Sequence, residues 1–276
     1  MDKIPAFIKA KERPLNIAHR GASAYLPENT IEAFALAFDK FKADMIEFDI
    51  HSAKDGIPVV IHDARLERTT GGRGYVSDYS LAELKKLDAG FCFSPSNDFR
   101  FPFRNKGLCI PAFEEVLSGF PDFFLAVEIK EKHPFLLHQV AALIQKYRAQ
   151  ERCIVGSKHD TISREMRARY SPMLRFLSQK EVIRAYFDFK TGKRNLEKDP
   201  SAVASMPFQN CGIRFDDKAF IDYLHERRIP SFFWTVNEPE LMQALCLKKA
   251  DGIITNDPGR FTELIARKSG AGPKDA

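Results

Sequence analysis

The sequence has few of the features of a secreted, membrane-spanning or nucleotide-binding protein. Its five cysteines are odd in number and widely spaced, without a Cys-x-x-Cys pair, so we predict thiols in a cytoplasmic protein rather than a disulfide framework. No apolar run approaches the ~20 residues of a membrane-spanning helix, and residues 1–13 lack the continuous apolar core of a signal peptide. Neither Gly-x-Gly-x-x-Gly nor a Walker motif occurs, which argues against a nucleotide site.

The excess of positive over negative charge is also small. The net charge is +5, and the lysines and arginines are spread along the chain rather than clustered. We therefore expect no nucleic-acid partner, although a mild positive charge favours a small anionic substrate. A length of 276 residues is long for an ordinary domain but normal for one α/β barrel.

Short apolar segments alternate with helical patterns along most of the chain, which is typical of a parallel α/β fold. The segments with strand character are residues 15–19, 45–50, 58–62, 124–129, 153–157, 174–178, 212–215, 231–236 and 252–255. Helical patterns lie at residues 30–41, 134–147, 160–169, 218–228, 238–247 and 258–268. The first of these helices is preceded by Asn29, which stands at capping-box spacing from Glu32.

One of the nine strand segments is surplus to a barrel. Residues 45–50 and 58–62 are joined by a short connection around Asp55-Gly56, which is a hairpin signal and too short for a parallel crossover. A two-residue turn there would place Asp49 opposite His62. The remaining eight strands predict a (β/α)₈ TIM barrel, with a doubly wound open sheet as the alternative.

The domain organisation follows from this interpretation. We predict an N-terminal extension at residues 1–14, the barrel at 15–267 and a polar tail at 268–276. Residues 63–111 fit neither the strand nor the helix pattern well, apart from a short helix near 80–87, and are interpreted as an insertion at the barrel mouth. A connection of this length either shapes a leaving-group pocket or forms a satellite core that closes one end of the barrel.

Charged side chains occur in or just after several of the apolar strands. They are His19, Arg20, Glu47, Asp49, His62, Glu128 and Lys130. Residues i and i+2 of a strand share a face, so the acidic pair on the second strand could converge, as could the Glu–Lys pair farther on. Charges are costly in apolar strands unless they are paired, and barrel active sites lie at the carboxyl ends of strands. Three acids, two cations and two histidines are the groups that a metal-assisted phosphoester hydrolase requires.

The ordered motifs closely resemble the glycerophosphodiester phosphodiesterase family. They include His-Arg-Gly-Ala at 19–22, Pro-Glu-Asn-Thr at 27–30, Ile-Glu-Phe-Asp at 46–49, Val-Val-Ile-His-Asp at 59–63, Arg-Thr-Thr at 68–70, Val-Glu-Ile-Lys at 127–130, Trp-Thr-Val-Asn at 234–237 and Asp-Gly-Ile-Ile-Thr-Asn at 251–256. The resemblance runs in one order from about residue 15 to residue 260. It implies a barrel that hydrolyses small-molecule glycerophosphodiesters to sn-glycerol 3-phosphate and an alcohol, with a divalent cation.

The resemblance also implies the roles of the acids and histidines. Glu47, Asp49 and Glu128 look like the metal ligands, and carboxylates suit Mg²⁺ or Ca²⁺, with Mn²⁺ as a further option. His19 and His62 look like the acid–base pair, which suits imidazole because it titrates near neutrality. We assign His19 as the base and His62 as the acid. The nucleophile is either water or the 2-hydroxyl of the substrate glycerol.

Arg20 and Lys130 would hold the phosphate, the first as a fork of donors and the second as a compact charge. Trp234 is either an apolar wall for the substrate glycerol or part of the ordinary barrel packing. The chain departs from the family at Ser157-Lys158-His159, where members often carry Ser-Phe. This departure bears on substrate preference rather than on the reaction.

Two other functions fit the same residues. A lysophospholipase-D-like enzyme would use the same metal and histidines, with the phenylalanine-rich insertion receiving an acyl chain. A non-catalytic barrel could instead bind a phosphorylated ligand. Retention of both histidines favours catalysis, because binding alone does not need a proton donor.

Overall fold

The computed structural model of the protein describes residues 8, 13–95, 99–193, 196 and 198–268. Its strands are β1 (Leu15–His19), β2 (Met45–Ser52), β3 (Pro58–Val60), β4 (Phe124–Ile129), β5 (Cys153–Gly156), β6 (Arg175–Phe176), β7 (Ala202–Pro207), β8 (Gln209–Asn210), β9 (Ile213–Arg214), β10 (Ser231–Trp234) and β11 (Gly252–Thr255). Eight of these strands are parallel neighbours, and β1 pairs with both β2 and β11. The sheet therefore closes into the predicted (β/α)₈ barrel.

Helices connect the strands and, apart from α2 in the insertion, cover the outside of the barrel. They are α1 (Ile31–Asp39), α2 (Leu81–Leu84), α3 (Phe113–Gly119), α4 (Pro134–Lys146), α5 (Asp160–Arg169), α6 (Gln179–Lys190), α7 (Lys218–Glu226), α8 (Pro239–Leu247) and α9 (Pro258–Lys268). A 3₁₀ turn, Val76–Asp78, precedes α2. No helix in the described part of the chain is long and apolar enough to cross a bilayer.

The hairpin of β2 and β3 forms as expected, but its predicted register was wrong by one residue. The N–H of Ile61, rather than that of His62, donates to the carbonyl of Asp49, at 3.0 Å. The turn contains Lys54 as well as Asp55 and Gly56, because the N–H of residue 53 bonds to the carbonyl of residue 57. His62 follows β3 and still reaches the carboxyl end of the barrel.

The sixth barrel strand, expected at residues 212–215, was also predicted in the wrong place. β7 lies between β6 and β10, whereas Ile213–Arg214 forms a separate two-stranded hairpin with Gln209–Asn210. The sequence of β7, Ala-Val-Ala-Ser-Met-Pro, consists largely of small residues. It carries little of the β-branched and aromatic signal that marks a strand.

Alternation along the strands separates two apolar layers. The inward-facing residues fill the lower barrel and are Leu15, Ile17, Met45, Ala126, Ile154, Leu174, Phe176, Val203, Phe232 and Ile254, joined by Ile8. The outward-facing residues pack against the helices in two larger clusters. Two positions after Ile17, Met45 and Ala126, the same alternation brings His19, Glu47 and Glu128 inward at the carboxyl ends of their strands.

The insertion has an apolar core of its own. Its buried members are Leu66, Val76, Leu84, Ala89, Leu108 and Ile110, which pack on Ala53, Val59 and Ile61 of the hairpin and its connections. None of the described residues between 64 and 111 lines the main cavity at the barrel mouth. The structure thus favours the satellite-core alternative.

Most of residues 1–14 and 268–276, the predicted extension and tail, lies outside the described residues.

Candidate active site

A cavity of about 400 Å³ opens at the carboxyl ends of the barrel strands. Seven of the eight predicted site residues line it, namely His19, Arg20, Glu47, His62, Glu128, Lys130 and Trp234. The eighth, Asp49, lies behind them with only 1% of its surface exposed. The structure therefore brings the predicted set together in one place.

The three acids form one cluster because β2 and β4 are neighbours. The register pairs Asp49 directly with Glu128, while Glu47 lies one inward position earlier on β2. One carboxylate oxygen from each residue lies within 4.8 Å of the other two. Lys130 Nζ is 2.8 Å from Asp49 Oδ1 and 2.8 Å from Glu128 Oε2. The cluster is thus already bridged by one compact positive charge.

The electrostatics of the cluster show an excess of negative charge. Burial raises the pKa of Glu47 well above its ordinary value, and repulsion from Asp49 and Glu128 adds to the effect. Burial also disfavours ionisation of Asp49, but Lys130 and Arg20 outweigh it and lower the pKa of that carboxyl. Buried oxygen ligands whose charges repel one another suit a hard divalent cation. The residues present therefore fit the metal that the acidic set implies.

Arg20 is placed by an unusual backbone. Its φ is +57°, and its N–H donates to the carbonyl of Glu47 at 2.7 Å. The guanidinium contacts two acids, with Nη1 2.9 Å from Glu28 Oε1 and Nε 3.2 Å from Asp49 Oδ2. Gly21 follows at φ +83°, where a Cβ would lie 2.8 Å from the backbone of Ala33. The turn after His19 therefore requires glycine.

Asn29 also holds Asp49. The cap of α1 is Thr30, whose hydroxyl accepts from Ala33 N at 3.2 Å, so the expectation that Asn29 caps this helix was wrong. The Asn29 amide instead donates to Asp49 Oδ2 at 3.1 Å. Asp49 thus accepts a hydrogen bond from Asn29 and forms ion pairs with Arg20 and Lys130.

His19 lines the cavity, and its Nδ1 is already hydrogen-bonded within the protein. Its Nδ1 lies 2.6 Å from Asn256 Oδ1, which also accepts from Ser23 Oγ at 3.2 Å. Because an amide oxygen only accepts, Nδ1 carries the proton. Burial, and then the charge of Arg20, lower the pKa of His19 to about 4. At neutral pH the ring is therefore neutral and Nε2 is an available base.

His62 is held in the same way from the other side. Its Nδ1 is 2.5 Å from Asp63 Oδ1, and its carbonyl accepts from His51 Nε2 at 3.1 Å. Asp63 also accepts a hydrogen bond from Arg68 Nε. With Nδ1 bound to a carboxylate, Nε2 is the nitrogen of His62 that remains for proton exchange.

The opposite wall of the cavity is apolar. It is formed by Phe176, Leu177, Val182, Ile183, Met206, Pro207, Phe215, Trp234 and Ile254. Ile183 and Trp234 are 37% and 42% exposed, which is high for large apolar side chains in a concave surface. The Trp234 ring therefore contributes to the cavity wall rather than only to barrel packing. Lys158 also lines the cavity, at the position where the sequence departs from Ser-Phe.

Several residues that support the site were not predicted from the sequence to take part in it. They are Glu28, Asn29, Asp63, Arg68 and Asn256. All of them occur in the motifs that carry the resemblance, so the signal was present. The spacing along the chain does not show which cavity residue each one contacts.

Fold and site together define a barrel enzyme of the phosphodiesterase class. The sequence pattern of the glycerophosphoryl diester phosphodiesterase family matches residues 19–260. A glycerophosphodiester phosphodiesterase of Caldanaerobacter subterraneus is 34% identical, over 94% of this chain and all of the relative. The chain belongs to this family and is a phosphoric diester hydrolase.

Two further similar proteins have different ligands or substrates: one is a lysophospholipase D, and the other was solved with a glycerol phosphate product. A lysophospholipase D of Rattus norvegicus is 27% identical, over 97% of this chain and 92% of the relative. An Oleispira antarctica phosphodiesterase, solved in complex with the product sn-glycerol-3-phosphate, superposes with a TM-score of 0.72. It is 21% identical, and the match covers 92% of this chain and 97% of that chain. The latter similarity shows the shared barrel.

Proposed function

We propose that the protein hydrolyses glycerophosphodiesters with a divalent cation held by Glu47, Asp49 and Glu128, and with His19 and His62 as the proton-transfer pair. The observation that carries this proposal is the geometry of one cavity. Three carboxylates converge there, and two histidines each commit Nδ1 to a fixed acceptor. Both histidines therefore present Nε2 for exchange with a substrate.

A divalent cation at the three carboxylates would neutralise charge on a phosphate oxygen, which otherwise repels a nucleophile. Mg²⁺, Ca²⁺ and Mn²⁺ all suit an oxygen donor set. Arg20 and Lys130 line the same cavity. They supply a planar donor fork and a compact positive charge for the remaining phosphate oxygens.

Each proton transfer is assigned to the Nε2 that one imidazole leaves free. His19 Nε2 takes the proton from the attacking oxygen, whether of water or of the substrate 2-hydroxyl, as its bond to phosphorus forms. His62 Nε2 gives a proton to the head-group oxygen as its bond to phosphorus breaks. When water attacks, the products are sn-glycerol 3-phosphate and the free alcohol in one step. When the 2-hydroxyl attacks, the alcohol leaves first, and one water then opens the cyclic phosphate to give sn-glycerol 3-phosphate. A neutral His19 beside the phosphate site is suited to act as base.

The first test is release of glycerol 3-phosphate from glycerophosphocholine and glycerophosphoethanolamine, with chelator and after adding back each cation. We expect activity that disappears with chelator and returns with at least one ion. His19→Asn and His62→Asn should each lose turnover by about 10²-fold or more while retaining cation binding. His133→Asn is a matched control, because His133 caps α4 and asparagine is also a good cap. Activity that survives chelator, or either histidine change, would contradict the proposal.

A second candidate substrate is a lysophospholipid, and the apolar wall favours it. The phenylalanines of the insertion do not line the cavity, so the acyl chain would instead lie along α6 and β7, against Val182, Ile183 and Met206. Ile183→Ser should then reduce cleavage of lysophosphatidylcholine and spare glycerophosphocholine. Equal effects on the two substrates would count against an acyl subsite.

We also propose a cytoplasmic location. All five cysteines lie among the described residues and are thiols rather than disulfides, which suits a reducing compartment. Cell fractionation with antibody detection tests this, and recovery in an oxidising compartment would contradict it.

A further inference from the structure

Arg68 of the insertion joins two carboxylates from different parts of the chain. Its Nη1 and Nη2 donate to both oxygens of Glu28, at 2.8 and 2.7 Å, and Nε donates to Asp63. Glu28 belongs to the loop after β1, whereas Asp63 follows the hairpin strand β3. One guanidinium thus bridges the β1 loop to the start of the insertion.

Each of these carboxylates holds a residue of the cavity. Glu28 Oε1 accepts from Arg20 Nη1 at 2.9 Å. Asp63 Oδ1 lies 2.5 Å from His62 Nδ1. Arg68 is therefore one side chain removed from a phosphate-binding candidate and from a proton-transfer candidate at the same time.

The backbone that carries Arg68 is fixed by the satellite core. Leu66 is fully buried in that core, and Thr70 bonds to the Leu66 carbonyl through both its N–H, at 3.1 Å, and its hydroxyl, at 2.8 Å. The turn that presents Arg68 is therefore seated by the folding of the insertion.

We propose that Arg68 is a positioning residue through which the insertion orients His62 and Arg20 for the reaction. Through Asp63 it fixes the ring of His62 with Nε2 toward the head-group oxygen, and through Glu28 it fixes Arg20 beside the phosphate. This role rests on the proposed function. It also gives the insertion a task although none of its described residues between 64 and 111 lines the cavity.

Arginine suits this task for a geometric reason. Its planar fork offers five N–H donors in fixed directions, so it can bind Glu28 with two nitrogens and Asp63 with the third. The pKa values of both acids are shifted in the direction that favours the carboxylate. Burial works against this shift in each case, but the hydrogen bonds from Arg68 lower the pKa of Glu28 and of Asp63.

The simpler interpretation is a surface ion pair, because 47% of the Arg68 side chain is exposed. Exposed pairs contribute little to stability, and loss of a merely structural pair would affect all substrates alike. The leaving group distinguishes the two interpretations. A p-nitrophenolate ion leaves without a proton, whereas a choline or ethanolamine alkoxide needs one from His62.

The experiment compares wild type, Arg68→Gln and Asp63→Asn on two substrates with cation present, glycerophosphocholine and the glycerol p-nitrophenyl phosphodiester. For both variants we expect kcat on glycerophosphocholine to fall by about 10-fold to 100-fold, part of the effect of a general acid. We expect kcat on the p-nitrophenyl ester to fall much less. Arg68→Lys should recover only part of the loss, because an ammonium keeps the charge but not the fork.

Glu28→Gln tests the contact from Arg68 through Glu28 to Arg20 separately from the contact through Asp63 to His62. Because it weakens the support of Arg20 and leaves Asp63 on His62, it should raise KM for both substrates without the leaving-group dependence. Arg65→Gln is the matched control, since Arg65 is an exposed insertion arginine that pairs with Glu67 and stacks over Tyr75 at 4.9 Å. It should leave both rates at the wild-type level.

Equal loss on both substrates in Arg68→Gln, or no loss on either, would overturn the positioning role. Thermal unfolding midpoints are measured alongside, and if Arg68→Gln unfolds early, the comparison of the two substrates is made with Arg68→Lys and Asp63→Asn. Failure of the proposed function has a different signature, because wild type would then release no product from either ester.

Discussion

His19 Nδ1 bonds to Asn256 Oδ1 at 2.6 Å although the two residues are 237 positions apart. The contact spans the seam where β1 meets β11, and it sets which nitrogen of His19 is free. The orientation of the proposed base therefore depends on closure of the barrel rather than on local sequence.

Replacing this amide by a carboxylate should change the pH dependence of the reaction. A base must be unprotonated, so a His19 pKa of about 4 leaves kcat/KM unaffected by this group above that pH. In Asn256→Asp the nearby negative charge raises the pKa, and the acid limb of the kcat/KM profile should move to higher pH. Ser23→Ala is the control, because it removes a hydroxyl that donates to Asn256 and to the His19 carbonyl without adding a charge. If the acid limb does not move in Asn256→Asp, the group that titrates in the kcat/KM profile is not His19.

The acidic cluster should respond differently to two isosteric changes in metal-free protein. Burial and repulsion from Asp49 and Glu128 raise the pKa of Glu47, and a neutral amide removes that repulsion. Glu47→Gln should therefore change the free energy of unfolding by less than about 1 kcal/mol. Asp49→Asn removes a buried partner of Arg20 and Lys130 and should cost about 3 kcal/mol. Urea denaturation measures both. A large loss in Glu47→Gln would show that Glu47 is ionised without metal. Both variants should lose the stabilisation that an added cation gives wild type.

His225, which lies outside the cavity, should make the free energy of unfolding depend on pH. His225 Nε2 lies 2.7 Å from Asp251 Oδ2, beside the start of β10, and this hydrogen bond raises the pKa of His225 above its ordinary value of about 6.5. Its contribution is fully present below the unfolded pKa and disappears as the pH rises through the folded one. His225→Gln should therefore cost on the order of 1 kcal/mol in mildly acidic solution and less in alkaline solution. Urea denaturation at the two pH values, with wild type alongside, tests this; an equal cost at both would refute it.

The lower barrel should tolerate no added carbon at Gly252. A Cβ there would lie 2.6 Å from Phe232 and 2.7 Å from Ile17, both fully buried. Gly252→Ala should therefore lower the free energy of unfolding by about 1–3 kcal/mol through overpacking. Chemical denaturation measures the loss. Gly119→Ala is the control, because nothing lies within 4 Å of the added atom there.

Much of the fold could be predicted because its signals are local. Apolar runs ending in charged residues mark β1, β2 and β4, and Asp55-Gly56 marks the hairpin. β7 escaped detection because alanine and serine fill a tight barrel wall without a strong strand pattern. The hairpin register was wrong because Lys54, an ordinary polar residue, is part of the turn.

The site was predictable to the extent that its residues lie in order along strands. Spacing by two placed Glu47 and Asp49 on one face, and the structure confirms their convergence. The pairing of Asp49 with Glu128 requires knowing that β2 and β4 are neighbours. The bridge from Arg68 to Glu28 requires the fold of the insertion, which no periodic pattern reveals.

The cavity wall is divided by chemistry along the order of the barrel strands. Most of the charged groups come from β1, β2, the residues after β3, and β4. The apolar surface comes from β6, α6, β7 and three later residues, Phe215, Trp234 and Ile254. Substitutions among these apolar residues can therefore alter the shape of one wall without touching a histidine or an acid of the cluster. The part of the cavity that carries the charges and the part that is apolar can thus change independently of each other.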